Sequence, residues 1–425
     1  MPDRLIILFE WILFVFFLGN LLSYSTPPPT DINQQARTYT RAIEFDYVEW
    51  MLDAFKIKAQ QGAAGLPGYL DREARKQIVM EYLRVTRQIL EGEYALQRIL
   101  ADASIADKDA AAAALRAELE DNYARQTQLA PLAEAILQEQ ITQALSDLGL
   151  TTLGQPMPSV LYHSTPVPNA LIVSRRDVIE QIANISIDPG LTVDEQALLE
   201  SRVDEKLDAA SLVVPIGGVG VYPTMVMQTT SLEWLVNTIA HEWMHNYLTW
   251  HALGLNYGTT PELRTMNETT ASIAGNEVGT YVIEHFYPEL LTSSPGNPGL
   301  VSFPLDHPDP GGLPRPPFDF RAEMHLTRVT ADALLAGGKI EEAEAYMIER
   351  QQFFLRNGYL LRKLNQAYFA FYGAYADVPG GAAGEDPVGP AVRALRERSA
   401  SLADFIHRIA LMDSFEDLQK ALAAP

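Results

Sequence analysis

The amino-acid sequence predicts a predominantly helical α+β protein with one small mixed sheet in its central part. Three observations predict this class. Residues typical of helices recur at helical spacing over 37–150 and again over 320–375 and 388–423. Runs of β-branched residues punctuated by glycine are confined to residues 158–226. A long apolar run near the N-terminus predicts one further helix, of the kind that crosses a membrane.

The charge balance and the absence of cysteine exclude several functions. The 425 residues include 32 Lys or Arg and 54 Asp or Glu, which gives a formal net charge of −22. An acidic surface repels phosphate backbones, so we expect no nucleic-acid partner. A chain without cysteine has no disulfides, no thiol nucleophile and no Cys-based zinc site. A bound metal ion must therefore be held by Asp, Glu or some of the eight histidines.

The apolar run covers residues 5–24, which as a helix would span about 30 Å, the thickness of the hydrocarbon core of a bilayer. Arg4 precedes the run, which favours a cytoplasmic N-terminus and an extracytoplasmic bulk. We therefore predict a transmembrane signal anchor over residues 1–25 and a single-pass protein of the cell membrane. The alternative is a cleaved signal peptide and a secreted protein, since Ser23 and Ser25 offer small residues at a cleavage site.

Composition divides the rest of the chain into five segments. They are a linker (26–36), a helical region (37–150), a core (151–290), a Pro/Gly-rich loop (291–319) and a helical C-terminal subdomain (320–425). Asp107 and the residues after it predict a new helix within the first helical region. In the core, the runs at 159–163, 170–174 and 212–226 predict strands, and a helix near 192–210 precedes the last of them.

The motif that carries chemistry is His-Glu-Trp-Met-His at residues 241–245. His241 and His245 lie four residues apart, so on a helix both rings leave the same face and are able to hold one Zn²⁺. Glu242 borders that face, where a base acting on zinc-bound water must stand. We predict a helix over 231–253, with Thr230 and Glu233 as its capping box and Gly254 as its end.

A second helix, over 261–286, supplies the third ligand, for which we choose Glu268. Thr260 and Pro261 form a good helix start. Ser272, Gly275 and Gly279 share the Glu268 face, and such small residues let this helix approach the His241/His245 helix closely. Glu277 points about 180° away from Glu268 on a straight helix, so we give it a structural role or a role in supporting the ligands.

The pattern HExxH followed by NExxAxxxGxE resembles the gluzincin metallopeptidases, the thermolysin-like clan, and most closely a group of bacterial aminopeptidase-like proteins. The second part of the pattern is carried here by Asn267, Glu268, Ala271, Gly275 and Glu277. The resemblance covers roughly residues 210–290, with a further part at 360–376, and implies a zincin-like core. It implies one zinc ion per chain and a peptide or protein substrate.

The resemblance also assigns roles to residues. It implies that His241, His245 and Glu268 bind the zinc and that Glu242 is the general base. Thermolysin-like enzymes carry an Asp four residues after the ligand Glu, hydrogen-bonded to a zinc histidine; this chain has Ser272 there, so we expect that contact to be weakened or moved. The loop between the two helices is also longer than in the aminopeptidase-like relatives.

Two further features are consistent with either a functional or a purely structural role. The run Val219–Val226 is either an edge strand that pairs with the substrate backbone or an ordinary sheet strand. Asn365, Tyr368, Tyr372 and Tyr375 share one face of a helix. Tyr375 or Tyr372 would donate to the developing oxyanion, as zinc peptidases require; the alternative is an aromatic core stripe.

The sequence thus predicts a membrane-anchored zinc metallopeptidase, with an aminopeptidase as one form and an endopeptidase as the other. Two alternatives stay open. One is an inactive membrane-tethered scaffold with a structural zinc, and the other is a zinc hydrolase of non-peptide substrates.

Overall fold

The computed structural model of the chain describes Phe14 and residues 31–64, 66–101, 105, 107–291, 318–375 and 381–423. Over these ranges the protein is predominantly helical with small sheets, which confirms the predicted helical α+β class. Apart from Phe14, the predicted membrane anchor at residues 5–24 lies outside the described residues, as do residues 292–317 of the Pro/Gly-rich loop. No helix among the described residues is both long and apolar enough to cross a membrane.

The N-terminal part of the described chain consists of helices. They are α1 (Ile32–Thr40), α2 (Tyr47–Ala64), α3 (Arg72–Ala101) and α4 (Lys108–Asp147), with a short 3₁₀ helix (Leu66–Tyr69) before α3. Helix α1 begins inside the segment predicted as a linker, because the Asp31 side chain accepts hydrogen bonds from two backbone N–H groups of the first turn. Asp107 caps α4, as its position in the sequence predicted.

The strands form two sheets and not the single mixed sheet expected. They are β1 (Tyr162–Ser164), β2 (Asn169–Arg175), β3 (Gln181–Ile187), β4 (Ala209–Pro215), β5 (Gly218–Val219) and β6 (Thr224–Val226). One sheet is antiparallel, in the order β3-β2-β4, and β3 is connected to β4 by helix α5 (Val193–Leu207), which was predicted near residues 192–210. In the other, β6 lies between the parallel β1 and the antiparallel β5.

Two predictions about the strands were wrong. The run at 212–226 is not one strand: it contributes to β4, β5 and β6, which belong to different sheets, because glycines and Pro223 interrupt it. Strand β3 was missed, although its buried positions Ala183, Ile185 and Ile187 alternate with more exposed ones.

The motif helix and its partner are α6 (Leu232–Leu248) and α8 (Pro261–Phe286), with the short α7 (Ala252–Leu255) between them. The predicted capping box was wrong: Ser231 is the cap of α6, and its side chain accepts from the backbone N–H of Trp234. Helix α6 ends at Leu248, so Gly254 falls in α7 and does not terminate it. The bounds of α8 and its Thr260 cap are as predicted.

The C-terminal part of the described chain is helical again. It comprises α9 (Phe320–Ala336), α10 (Ile340–Arg356), α11 (Gln366–Tyr372), α12 (Val388–Arg398), α13 (Leu402–Ile409) and α14 (Phe415–Ala423). Helices α9–α11 pack on one face of the antiparallel sheet, and α1 and α5 cover the other. Helices α12–α14 share the largest hydrophobic cluster with α3, α4, α6 and α8. The N-terminal helices therefore belong to the same core that positions the motif.

Candidate metal centre and cleft

The three predicted metal ligands come together between α6 and α8. The Nε2 atoms of His241 and His245 lie 3.1 Å apart, and each lies 3.5 Å from Oε2 of Glu268. The histidines stand one turn apart on α6, and α8 brings Glu268 to them from its own side. Among the described residues this is the one group of His, Asp and Glu side chains spaced to hold a metal ion.

The spacing of these three atoms fits a tetrahedral metal ion. Ligand atoms about 2.0–2.1 Å from a tetrahedral zinc ion lie about 3.3–3.4 Å from one another, and the observed separations are 3.1, 3.5 and 3.5 Å. Glu268 is 4% exposed, and no described residue donates a hydrogen bond to its Oε2. A buried carboxylate oxygen without a donor is costly, and a cation among the three groups would remove that cost.

Polar neighbours orient two of the ligands. Oδ1 of Asn267 lies 2.8 Å from Nδ1 of His245. Because a carbonyl oxygen only accepts, that ring nitrogen carries a proton, and loss of the other proton from Nε2 would expose the lone pair that a metal needs. The hydroxyl of Tyr257 donates to Oε1 of Glu268 at 2.5 Å, and the other carboxylate oxygen, Oε2, faces the histidines.

Small residues on α8 let the two helices approach closely, as predicted. A Cβ at Gly275 would lie 2.7 Å from the backbone oxygen of Asn237 and 3.1 Å from Cβ of His241. A Cβ at Gly279 would clash with the Asn237 side chain. Ser272, on the same face, places Oγ 3.5 Å from Nδ1 of His241, which is a long contact.

The charged groups of this site shift one another's pKa values. Burial raises the pKa of Glu268, but the histidines lower it more, so it lies well below its usual range. Burial lowers the pKa of His245, but Glu268 raises it more, to about 9. A metal ion bound by this group would therefore have to displace a proton from His245. Burial, and to a lesser extent the charge of Glu268, raises the pKa of Glu242 against the opposing effect of the histidines.

Glu242 lies between the ligands and the mixed sheet. It is 8% exposed, and it packs so tightly on Gly218 that a Cβ there would lie 2.8 Å from its Oε1. A Cβ at Gly220 would likewise lie 2.8 Å from Cβ of His245. The glycine-rich segment around β5 is therefore the wall that encloses Glu242 opposite α8.

The predicted edge strand is only partly an edge. Strand β5 (Gly218–Val219) has β6 on one side and no strand on the other among the described residues, so its outer edge borders the site. Strand β6 (Thr224–Val226) is the central strand of that sheet, paired on both sides. Val219 is therefore the one residue of the run Val219–Val226 that lies in an edge strand.

Of the two tyrosines predicted to donate to the oxyanion, Tyr375 is the one that contacts a predicted metal ligand. Its ring stacks on His241, with centroids 6.2 Å apart and planes at 28°. Burial raises the pKa of Tyr375 well above its ordinary value, and the negative charges of Glu268 and Glu242 add to that effect. The hydroxyl therefore stays protonated and able to donate.

Tyr372 is placed differently. Its ring packs on Tyr368 and Phe371, at centroid distances of 4.5 and 5.0 Å, and burial raises its pKa to about 12. The predicted shared helical face was wrong, because Asn365 is the cap of α11 and the helix ends at Tyr372. Tyr375 reaches His241 from the turn that follows.

Glu277 lies away from the metal ligands. Its carboxylate forms a two-pronged ion pair with the guanidinium of Arg396 on α12, with N–O distances of 2.6 and 2.8 Å. This contact ties α8 to the C-terminal helices.

A cavity of about 880 Å³ opens onto the candidate centre. One wall is polar and comes from α6 and α8, with Asn237 and Asn276 beyond the ligands. Aromatic residues from other elements, among them Phe320, Tyr359 and Tyr372, also line the cavity. The volume falls in the range of cavities that bind small molecules or short peptide segments.

Sequence reasoning missed several polar residues of this cavity, and two of them contact the candidate centre or lie beside it. Arg264 precedes Glu268 by four residues on α8, so the helical spacing that placed Ser272 was also able to find it. Tyr257 had no such signal, because it lies in the turn between α7 and α8 and reaches Glu268 only through the tertiary fold.

No protein-family model, curated protein or solved structure was found to match the chain.

Proposed function

We propose that this chain is a zinc-dependent metallopeptidase of gluzincin type, with a zincin-like core built from the mixed sheet, α6 and α8. The position of Glu242 carries the proposal. This buried carboxylate stands beside three groups spaced for zinc, at the wall of a large cavity. A structural zinc site is closed and requires neither an adjacent free carboxylate nor a cavity.

The roles of the chain's own residues follow from their chemistry. His241, His245 and Glu268 would hold the zinc, which when bound supplies a Lewis acid and lowers the pKa of a water. Glu242 takes a proton from the attacking water and passes it to the leaving amine. The Tyr375 hydroxyl donates to the substrate oxygen on which negative charge develops. The outer edge of β5 offers backbone groups to an extended peptide.

Glu242→Gln is the direct test of this function. The amide keeps the shape of the side chain but is unable to take up the proton, so we expect bound zinc at the wild-type level and no measurable turnover of a peptide library. Glu233→Gln, at an exposed position of the same helix, is the matched control and should keep wild-type activity.

Either of two results would refute the proposal. Wild-type peptidase activity in Glu242→Gln would remove the proposed base. A wild-type protein that holds zinc one to one but cleaves no peptide would exclude a peptidase and leave the structural-zinc scaffold or the hydrolase of non-peptide substrates.

We further propose that residues 5–24 anchor the chain in the cell membrane with the cleft outside the cytoplasm. The support is the length and apolarity of that run. The full chain should stay with membranes after alkaline carbonate washing, whereas release of a shortened chain would favour the cleaved signal peptide.

A further inference from the structure

Arg264 is a buried charged residue of the cleft whose hydrogen-bonding groups are only partly satisfied. It is 8% exposed and lines the cavity on the same face of α8 as Glu268. Its Nη1 donates to the backbone oxygen of Ala370 at 2.7 Å, whereas its Nε is buried and has no hydrogen-bond partner among the described residues. A buried guanidinium normally satisfies its five N–H groups, so this arrangement is incomplete as it stands.

No described carboxylate forms an ion pair with Arg264 within 4.0 Å. Outside the candidate centre, the other buried charges among the described residues are paired: Lys58 contacts Glu134 at 2.5 Å, and Glu200 contacts Arg362 at 2.5 Å. Burying an unpaired charge is strongly unfavourable, and proteins retain such a charge where a ligand of opposite sign completes it.

The nearest candidate partner on α8 is already engaged. Glu268 accepts from Tyr257 at Oε1 and faces the histidines with Oε2. Burial raises the pKa of Tyr257, and Arg264 opposes this through its charge and through a hydrogen bond to the Tyr257 side chain. This contact leaves the positive charge without a negative partner.

We propose that Arg264 binds a carboxylate of the substrate, so that the cleft selects peptides with a negative charge close to the bond that is cut. The guanidinium presents a planar fork that matches a carboxylate, and its burial makes the interaction stronger than at a surface. This inference rests on the proposed peptidase function for the identity of the ligand as a peptide.

The distance along α8 limits where that carboxylate lies. Four residues of helix separate Arg264 from Glu268, a rise of about 6 Å, and an extended peptide advances about 3.3 Å per residue. The carboxylate therefore belongs within about two residues of the bond cut. It is either the C-terminal carboxylate of the substrate or the side chain of Asp or Glu.

Binding to the Glu242→Gln protein tests the inference without turnover. The probes are two matched pairs: acetylated tetra-alanine with a free C-terminus against its amide, and acetylated, amidated alanine peptides with one Asp against the same peptides with Asn. We expect the charged member of at least one pair to bind about 30-fold more tightly, as for a buried charge-assisted contact. A preference in the first pair identifies the terminus, and a preference in the second identifies the side chain.

Substitution of Arg264 tests whether this residue causes the preference for the charged peptides. Arg264→Gln should abolish it, and Arg264→Lys should keep part of it, because lysine retains the charge but not the fork. Arg396→Gln, which removes a guanidinium outside the cavity, should leave the preference intact. The comparison of acid with amide in the protein with the native arginine does not depend on whether Arg264→Gln folds.

Two results would overturn the inference. One is equal binding of charged and neutral members in both pairs, and the other is a preference that persists in folded Arg264→Gln. Failure of the peptidase proposal would look different: the wild-type protein with zinc would cleave neither these peptides nor the same peptides with a free N-terminus, whereas selective binding of the carboxylates would remain.

Discussion

Replacing Gly275 by alanine tests whether close contact of α6 and α8 sets the metal geometry. The added Cβ would lie 2.7 Å from the backbone oxygen of Asn237 and 3.1 Å from Cβ of His241. Ordinary contacts of this kind begin near about 3.4 Å, so the helices must separate locally by about 0.7 Å. Because His241 and Glu268 sit on opposite sides of this contact, the separation moves ligands apart.

The cost in stability should be modest and the cost in metal affinity large. Overpacking destabilises the fold by about 1–3 kcal/mol, whereas alanine is more favourable than glycine in a helix by about 1 kcal/mol. The free energy of unfolding should therefore fall by about 0–2 kcal/mol. A displacement of about 0.7 Å exceeds the ~0.2 Å within which metal–ligand distances are held. We therefore expect zinc affinity to fall about 10- to 100-fold, as when supporting contacts are lost.

The assay is competition for zinc with a chromogenic chelator, beside urea unfolding of the same samples. Gly68→Ala is the control, since a Cβ at Gly68 would meet nothing within 4 Å. Wild-type zinc affinity in folded Gly275→Ala would refute the argument that this close approach sets the ligand geometry.

Three other predictions concern the same site. Asn267→Ala should lower zinc affinity about 10- to 100-fold in the chelator assay, because His245 loses the partner of its Nδ1. The pKa of His245 is raised to about 9, so zinc must compete with a proton below that pH. Affinity should rise up to about tenfold per pH unit as pH approaches 9 and level off above it; a flat profile between pH 6 and 9 would contradict this. Tyr375→Phe should reduce kcat about 10²- to 10³-fold with zinc content unchanged, and Tyr372→Phe should have a much smaller effect; equal losses in both would contradict the role given to Tyr375.

The sequence predicted the parts of the site that depend on helical spacing. The four-residue interval between His241 and His245, the cap at Thr260 and the small residues facing them are local features with a fixed geometry. They placed Glu268 on the face of α8 that meets His241 and His245, and they placed Glu277 away from it, where it pairs with Arg396.

The features that the sequence did not predict depend on contacts between distant segments. Tyr257 reaches Glu268 from a turn, and α11 places Tyr375 against His241 only because the helix ends at Tyr372. The sheet arrangement was also mistaken, since strand partners are chosen by tertiary packing. Thr230 was predicted as the cap of α6 instead of Ser231 because neighbouring Thr and Ser residues are nearly equivalent as caps.

Measured zinc content shows whether His241, His245 and Glu268 form one zinc site. The purified wild-type chain, reconstituted with zinc and passed through a desalting column, should carry about one zinc ion per chain. His241→Ala and Glu268→Ala should each lose most of it, and Glu277→Ala should keep it. If Glu268→Ala retained its zinc, or if the reconstituted wild type held none, these three residues would not form a zinc site.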